Sequence, residues 1–241
     1  MAVMQHILSA KNESRKLLVL LLDPEKQTAV EALRPYLKLP DMIFVGGSTG
    51  VYVEDCIASL RPSTDCPIVL FPGNIAQFSP KADAILFLSL LNAKTADMLI
   101  TPHIQIAQQV IDSRIESIPM GYILLNGGRK SSVEMVSKVV PIDQSDVDTV
   151  ISTAAAGQLL GKQLIYLEAG SGAKTPVSIE IIQAVSQRLT IPLIVGGGIT
   201  TPERMLAAFE AGADVVVIGN HFEKNPNEIA NFVRIKREKY G

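Results

Sequence analysis

Ile191-Pro-Leu-Ile-Val-Gly-Gly-Gly-Ile-Thr-Thr-Pro-Glu203 decides the fold, together with Ala213-Asp-Val-Val-Val-Ile-Gly-Asn220 one helix later. Each segment is a short apolar run that leads into glycine, and such a run is typical of a parallel strand buried on both faces. Glycines at the carboxyl end of a strand let backbone amides approach an anion, and the next helix offers its positive end. Two such units in succession are typical of the last strands of a phosphate-binding (β/α)8 barrel.

The length and composition agree with a barrel. The chain has 241 residues, and one such barrel typically has about 250, so we expect residues 1–241 to form a single domain. Hydrophobic residues make up 47% and charged residues 19%, which favours a large core over disorder. A formal net charge of -2 argues against a nucleic-acid partner, which usually requires a basic face.

The cysteines and the hydropathy pattern bear on the compartment. Cys56 and Cys66 lack metal-ligand spacing and a neighbouring histidine, so we expect reduced interior thiols. No run of about 18 apolar residues is present to span a membrane, and the segment from Met1 to His6 does not resemble a signal peptide. The sequence therefore predicts a soluble cytoplasmic protein whose substrate could still be a lipid.

Apolar runs alternate with amphipathic helical patterns along the whole chain, which predicts a parallel sheet. The predicted strands are Leu17 to Leu22, Met42 to Val45, Ile68 to Phe71, Ala84 to Leu88, Met120 to Leu125, Gln163 to Glu168, Leu193 to Val195 and Val215 to Ile218. The predicted helices are Lys26 to Tyr36, Val51 to Leu60, Thr95 to Asp112, Gln144 to Leu160, Val177 to Arg188, Pro202 to Ala211 and Asn225 to Lys239. We therefore expect a single (β/α)8 TIM barrel.

Two segments break the regular alternation. Phe71 to Pro80 is too short and too rich in proline for a crossover helix, and Asn126 to Pro141 is predicted to contain no helix. Irregular segments at the carboxyl ends of barrel strands usually build the active site. We therefore expect the catalytic groups at this end of the barrel.

The first two predicted strands end in residues that could bind a metal. Asp23 follows the first strand, and Ser48 follows the second within Gly46-Gly-Ser-Thr49. A carboxylate and a hydroxyl, completed by water and phosphate oxygens, form the sparse oxygen set that Mg²⁺ prefers. A helix N-cap at Asp23 and a turn residue at Ser48 are the structural alternatives.

The sixth predicted strand ends in a carboxylate beside a loop of small residues. Glu168 precedes Ala169-Gly-Ser-Gly172, whose backbone amides could surround a phosphate. A carboxylate here can orient hydroxyl groups or accept a proton from an attacking hydroxyl. A salt bridge to a strand-end base is the structural alternative, but an acid beside a phosphate loop is electrostatically unfavourable without a task.

Loops after the fourth and fifth strands could serve a second phosphate and an apolar chain. Arg129 and Lys130 are two cations suited to a diphosphate, although ordinary surface charge would explain them as well. Ser89 and Asn92 flank Leu90-Leu91 and could line an apolar channel with a polar end.

Together these strand ends resemble geranylgeranylglyceryl phosphate synthase, in the branch with a Gly-Gly-Arg-Lys loop. The motifs that carry the resemblance keep their order over almost the whole chain: Leu22-Asp-Pro-Glu-Lys26, Gly46-Gly-Ser48, Phe87-Leu-Ser-Leu-Leu-Asn92, Gly127-Gly-Arg-Lys130, Tyr166-Leu-Glu-Ala-Gly-Ser-Gly172, Val195-Gly-Gly-Gly-Ile199 and Ile218-Gly-Asn220. The resemblance implies a barrel with a reduced third helix, meaning the one after the third strand. One departure is Glu25, where the family commonly has aspartate, and we expect no change of function from it.

The resemblance also implies a reaction and its ligands. The sn-3 hydroxyl of sn-glycerol 1-phosphate would attack C1 of an all-trans polyprenyl diphosphate, typically geranylgeranyl, releasing diphosphate and forming an ether. Asp23 and Ser48 would hold Mg²⁺. Positions implied to hold glycerol phosphate are Tyr166, Leu167, Glu168, Ala169, Gly170, Ser171, Gly172, Gly197, Gly198, Gly219 and Asn220. That Glu168 orients the glycerol and accepts the proton late is our hypothesis.

Several alternatives stay open at this point. Another phosphate-binding barrel, such as an isomerase or synthase acting on a sugar or heterocycle phosphate, would share the terminal glycine loops. A barrel that has lost catalysis is disfavoured, because the acidic residues and phosphate loops are intact. Relatives form dimers or hexamers, so we expect a homo-oligomer, together with transient contact between the enzyme and a membrane surface. The sequence does not indicate the prenyl chain length.

Overall fold

The computed structural model describes residues 2–47 and 53–241, and its strands close into one parallel barrel in the order β1 to β8. The strands are β1 Leu17–Leu22, β2 Met42–Val45, β3 Ile68–Leu70, β4 Ala84–Leu90, β5 Glu116–Leu124, β6 Leu164–Glu168, β7 Leu193–Gly196 and β8 Val215–Ile218. Every predicted strand is present, and the fold class is confirmed. Ser48 lies outside the described residues.

Helices surround the barrel and return the chain from the carboxyl ends of the strands. They are α1 Val3–Asn12, α2 Gln27–Leu33, α3 Val53–Leu60, α4 Ala96–Leu99, α5 Thr101–Ser113, α6 Ser132–Ser137, α7 Val147–Leu159, α8 Ile179–Ser186, α9 Pro202–Glu210, α10 Asn220–Lys224 and α11 Glu228–Tyr240. Two single 3-10 turns extend α2 and α3, at Arg34–Tyr36 and Arg61–Ser63. None of the described helices is both long and apolar enough to cross a lipid bilayer.

Strand side chains alternate between the barrel interior and the helix layer. In β6, for example, Leu164 and Tyr166 join the interior cluster, whereas Ile165 and Leu167 pack towards the helices. The parallel register sets Glu168 beside Leu124 of β5 and Gly196 of β7. Glu168 therefore continues the interior row and faces the mouth of the barrel.

The segment after β3 confirms the reduced third helix. No helix forms between Phe71 and Asp83. Polar contacts hold the segment in place instead: the Gln77 side chain accepts a hydrogen bond from the Gly73 amide at 2.8 Å, and Asp83 accepts one from the Ile68 amide at 2.7 Å. The missing helix leaves Phe71 close to the barrel mouth.

Three helices were not predicted from the sequence: α6, α1 and the short helix α10, Asn220–Lys224. The expectation that Asn126 to Pro141 contains no helix is wrong, because α6 forms there with Ser131 as its N-cap, accepting from the Glu134 amide at 3.1 Å. The segment is too short for apolar periodicity to reveal it. At the opposite end, α1 covers the bottom of the barrel, and Glu116 accepts hydrogen bonds from the first amides of α1. Because Glu116 binds these amides, β5 starts at Glu116, before the apolar run from Met120 to Leu125.

Candidate active site at the carboxyl ends of the strands

Glu168 is the buried carboxylate at the centre of the barrel mouth. Its exposed fraction is 7%, and its Oε1 accepts a hydrogen bond from the Gly170 amide at 2.6 Å. The Tyr166 hydroxyl donates a second hydrogen bond to the carboxylate. The side chain is therefore held in one orientation. No cation within residues 2–47 and 53–241 forms a salt bridge with it, so the salt-bridge alternative is not what the structure shows.

Burial changes the acidity of Glu168. Desolvation raises the pKa of the carboxyl from 4.5 to about 7, and the hydrogen bonds from Gly170 and Tyr166 only partly oppose this. A buried acid with a pKa near neutrality can exchange a proton with a reacting group. The structure thus supplies a candidate base.

Glycines on β7 make room for this carboxylate. A Cβ added at Gly196 would lie 2.0 Å from the Tyr166 hydroxyl oxygen, and one at Gly197 would lie 2.2 Å from Glu168 Oε1. Gly197 also has a φ of 83°, in the left-handed region that favours glycine. Any larger residue would displace the carboxylate.

An aromatic floor lies beneath Glu168. The Phe71 and Tyr166 rings stack with centroids 5.4 Å apart, and the Tyr122 ring lies 5.2 Å from that of Tyr166. Burial and the neighbouring Glu168 charge raise the pKa of both tyrosines well above 10.0, so both phenols stay protonated. The floor excludes water from one side of the carboxylate.

The loops after β6, β7 and β8 form a cradle suited to a phosphate. Gly170, Gly172, Gly197 and Gly198 all have φ between 72° and 101°, and successive amides in such conformations make anion-binding concavities. Asn220 Nδ2 donates to Ser171 Oγ at 2.7 Å, which ties the β8 loop to the β6 loop. The cradle opens beside Glu168, because the Cβ position of Gly197 contacts both Glu168 and Gly170.

Arg129 lies closer to this cradle than its sequence position indicates. Its terminal nitrogen NH1 lies 3.7 Å from the Cβ position of Gly172, next to Asn220. The guanidinium is exposed and can reach a phosphate held by the β6 loop. Lys130 is exposed on the same loop. Arg129, which was predicted to bind the diphosphate, thus lies beside the residues predicted to bind glycerol phosphate.

Leu167 and Ala169 offer a ligand only their backbone. Both side chains are buried among residues that face the helix layer. Gly219 lies next to β1, where its Cβ position contacts the Leu21 carbonyl oxygen at 3.3 Å. Leu167, Ala169 and Gly219 could therefore serve a ligand only through their backbone, as could the other glycines of the predicted set.

Asp23 and Lys26 occupy the neighbouring rim after β1. Asp23 is half-buried and accepts a hydrogen bond from the Glu25 amide at 3.1 Å, so it closes a turn rather than capping α2. Lys26 Nζ lies 3.8 Å from Asp23 Oδ2 and donates to Glu223 at 2.7 Å and to Asn220 at 3.1 Å. This ammonium group links the predicted metal carboxylate to the phosphate cradle.

The surroundings of Asp23 fit a metal that needs few protein ligands. The Cβ position of Gly47 lies 3.0 Å from Asp23 Oδ1, so the end of β2 passes directly beside the carboxylate. Among residues 2–47 and 53–241, no group of three or more His, Cys, Asp or Glu side chains could hold a metal ion. A single carboxylate suits Mg²⁺, because this ion keeps water and substrate oxygens as ligands. A metal that must be enclosed by protein ligands would not fit this site.

Ser89 and Asn92 have structural partners. The Ser89 hydroxyl donates to the Leu99 carbonyl at 3.1 Å and accepts from Lys162 Nζ at 2.6 Å, on the helix side of β4. The Asn92 amide group bonds the backbone of Leu124 and Val140. Both side chains therefore join segments of the fold.

Three residues of the site were not predicted from the sequence: Tyr122, Phe71 and Lys26. Tyr122 was detectable in principle, since it lies two residues before the last residue of β5 and therefore shares the inner face with Tyr166. Phe71 reaches the site only because no helix follows β3. The position of Lys26 beside Asn220 depends on barrel closure between β8 and β1.

Ionisation of Glu168 is expected to lower folding stability as the pH rises. The folded-state pKa of about 7 exceeds the ordinary 4.5, so the folded protein holds this proton more tightly than the unfolded chain. The resulting stabilisation is complete below 4.5 and is lost as the pH rises through 7, by up to about 3 kcal/mol. Urea unfolding from about pH 5 to pH 8 measures the loss. Glu168→Gln should remove it, and equal slopes for both proteins would contradict the assignment.

Comparisons with known proteins agree with this geometry. A model of the PcrB family matches residues 10–236. The chain is 47% identical over 227 residues to geranylgeranylglyceryl phosphate synthase of Flavobacterium johnsoniae, an alignment that covers 92% of this chain and 93% of the relative. The synthase of Zunongwangia profunda is 45% identical over 227 residues, covering 92% and 97% of the two chains.

A solved structure is similar over the full length. The crystal structure of (S)-3-O-geranylgeranylglyceryl phosphate synthase from Thermoplasma acidophilum, in complex with sn-glycerol-1-phosphate, superimposes with a TM-score of 0.90 at 34% identity. The superposition covers 100% of this chain and 99% of the other. The likeness extends beyond a shared barrel architecture, because the identity is high over the whole length.

Proposed function

The chain belongs to the PcrB family, and we propose that it is a prenyltransferase of the geranylgeranylglyceryl phosphate synthase type. It joins the sn-3 hydroxyl of sn-glycerol 1-phosphate to C1 of an all-trans polyprenyl diphosphate. The observation that carries this proposal is the buried Glu168 carboxylate beside the glycine cradle. A phosphate held in the cradle places the rest of a glycerol molecule next to the carboxylate.

The reaction needs one bond made, one bond broken and one proton removed. The glycerol oxygen forms the ether bond to C1 while the bond from C1 to the diphosphate oxygen breaks, and diphosphate leaves with that electron pair. The hydroxyl proton passes to Glu168, whose pKa near 7 suits a group that receives a proton late in the step. Tyr166 and the Gly170 amide keep the carboxylate oriented towards the acceptor.

The chain offers residues for a magnesium ion and for the diphosphate. Asp23, together with Ser48, would hold the metal. Lys26 lies beside Asp23, and Arg129 lies beside the cradle. When bound, Mg²⁺ supplies neutralisation of the charge that develops on the diphosphate. Lys26 also holds Asn220 in place, so the two substrate sites share a support.

The prenyl chain has a candidate groove outside the barrel. An open groove of about 540 Å³ runs along α7, from Asp148 at its beginning to Leu160 just beyond its end. Leu91 and Leu99 line it on the side of β4, and Gly157 lines it on the side of α7. The close contact between Gly157 and Leu91 makes the groove wall continuous. Its length suits an extended chain, because a helix of 13 residues is about 20 Å long.

The test is release of diphosphate by the purified protein with geranylgeranyl diphosphate. Reactions with sn-glycerol 1-phosphate, with sn-glycerol 3-phosphate and without an acceptor are compared. Release that requires the 1-phosphate and yields an organic-soluble ether supports the proposal. If folded protein that binds phosphate releases no diphosphate with any prenyl chain length, the proposal is wrong.

We also propose a cytoplasmic homo-oligomer, which analytical ultracentrifugation would test.

Removal of Mg²⁺ is expected to abolish transfer, and Asp23→Asn should have nearly the same effect. The amide keeps the turn at Glu25 but loses the charge that holds the cation, so we expect turnover to fall about a hundredfold or more. Activity is titrated with MgCl₂ after chelation. Asp112→Asn, at an exposed carboxylate on α5, serves as the matched control. An Asp23→Asn variant with an unchanged magnesium requirement would remove Asp23 from the metal site.

A further inference from the structure

Three large apolar side chains are exposed within residues 135–140, after β5. The exposed fractions are 61% for Met135, 51% for Val136 and 70% for Val140. A single exposed apolar residue is normal, whereas a contiguous group marks a surface that contacts something other than water. We call Met135, Val136 and Val140 the lid patch.

The lid patch lies over the mouth of the barrel. Val133 and Val139, which flank it in the chain, turn the other way and pack against the barrel interior cluster. Ser131, the N-cap of α6, lies 2.7 Å from the Cβ position of Gly170 in the phosphate cradle. Asn92 holds the Val140 carbonyl at 3.1 Å. The patch therefore has a fixed position on the face through which substrates enter.

The segment that carries the patch has more cations than carboxylates, although the whole chain carries a net charge of -2. Residues 126–140 contain three cations, Arg129, Lys130 and Lys138, and one carboxylate, Glu134. Lys174 adds a fourth cation, since its side chain lies 3.8 Å from the Cβ position of Gly128. All four cations are exposed. Exposed apolar side chains on a segment rich in cations match the surface of an anionic bilayer.

We propose that the lid patch docks on the anionic surface of a lipid membrane. This inference rests on the proposed function, because a polyprenyl diphosphate is an amphiphile whose chain partitions into a bilayer. Met135, Val136 and Val140 enter the interface between headgroups and acyl chains, while Lys138 contacts anionic headgroups. Docking in this orientation turns the barrel mouth towards the membrane that holds the substrate.

Co-sedimentation with vesicles of phosphatidylcholine and phosphatidylglycerol tests the proposal without any substrate. We expect binding that weakens with salt, and Met135→Ser/Val140→Ser should bind about tenfold more weakly. The matched control is Ile111→Ser/Leu159→Ser. These side chains have exposed fractions of 68% and 85% and lie near the carboxyl ends of α5 and α7, away from the lid patch. The control pair should bind like the wild type. Lys138→Glu should also weaken binding about tenfold.

Several results would overturn the inference. One is equal binding by the wild type and the patch variant, and another is absence of binding by the wild type. A patch variant that changes only the mass of the assembly would show that the surface contacts a second copy of the chain. Turnover of a detergent-dispersed prenyl diphosphate should stay unchanged in Met135→Ser/Val140→Ser. If the wild type binds vesicles but catalyses no prenyl transfer, the proposed reaction is wrong. The docking surface would not be contradicted by that result.

Discussion

Glu168→Gln is expected to slow prenyl transfer about a hundredfold or more, the range for a lost general base. Glutamine keeps the size of the side chain and can still accept from the Gly170 amide, but it cannot take the proton of the attacking hydroxyl. In the wild type, kcat should rise with pH through about 7, where the carboxyl ionises. Steady-state rates across this range measure the effect.

The stability of the same variant separates catalysis from folding. Because a neutral amide removes the cost of a buried charge, Glu168→Gln should be at least as stable as the wild type above pH 7. Its affinity for glycerol phosphate, measured by calorimetry, should change little compared with the loss of turnover. Near-normal turnover in a folded Glu168→Gln protein would remove the proposed role.

Gly197→Ala is expected to abolish binding of glycerol phosphate. The new Cβ would lie 2.2 Å from Glu168 Oε1 and 2.7 Å from the Gly170 carbonyl oxygen, so either the carboxylate or the cradle must move. A φ of 83° adds backbone strain of about 1–2 kcal/mol. We expect affinity to fall about a hundredfold or more, since displaced amides no longer converge on the phosphate. Calorimetric titration measures it.

Gly161→Ala is the matched control for backbone strain. Gly161 has a φ of 85°, and a Cβ added there meets nothing within 4 Å. This variant therefore carries the strain of a left-handed alanine without a steric clash, and its affinity should match that of the wild type. Gly198→Ala should fall between the two, because its nearest contact is 3.2 Å, to Pro176. Equal affinities for all three variants would mean that the glycine cradle does not hold the ligand.

Parts of the site with strong local signals could be predicted from the sequence. Glu168 and Asp23 follow apolar strands directly, and parallel strands bring their carboxyl ends to one rim. Both residues lie on the rim in the structure, with Glu168 beside the predicted glycine loops. Ser89 and Asn92 carry a weaker signal, since a polar residue near a strand end can face either a substrate or a backbone carbonyl.

The sequence by itself determined the barrel. Each strand carries its own apolar run, and the helices between the strands leave few ways to pair them other than in order around a closed parallel sheet. The glycines that directly follow the apolar runs also indicated where the backbone can adopt a positive φ. These features depend on neighbours in the chain, which is why the sequence shows them.

Only the tertiary structure decided the chemical state of the site. The pKa of Glu168 rises because the Tyr122 and Tyr166 rings and the β7 backbone together exclude water from it. Lys26 meets Asn220 because the first and last strands pair. Desolvation and contacts between distant segments depend on how all the strands close, and no single stretch of sequence contains that information.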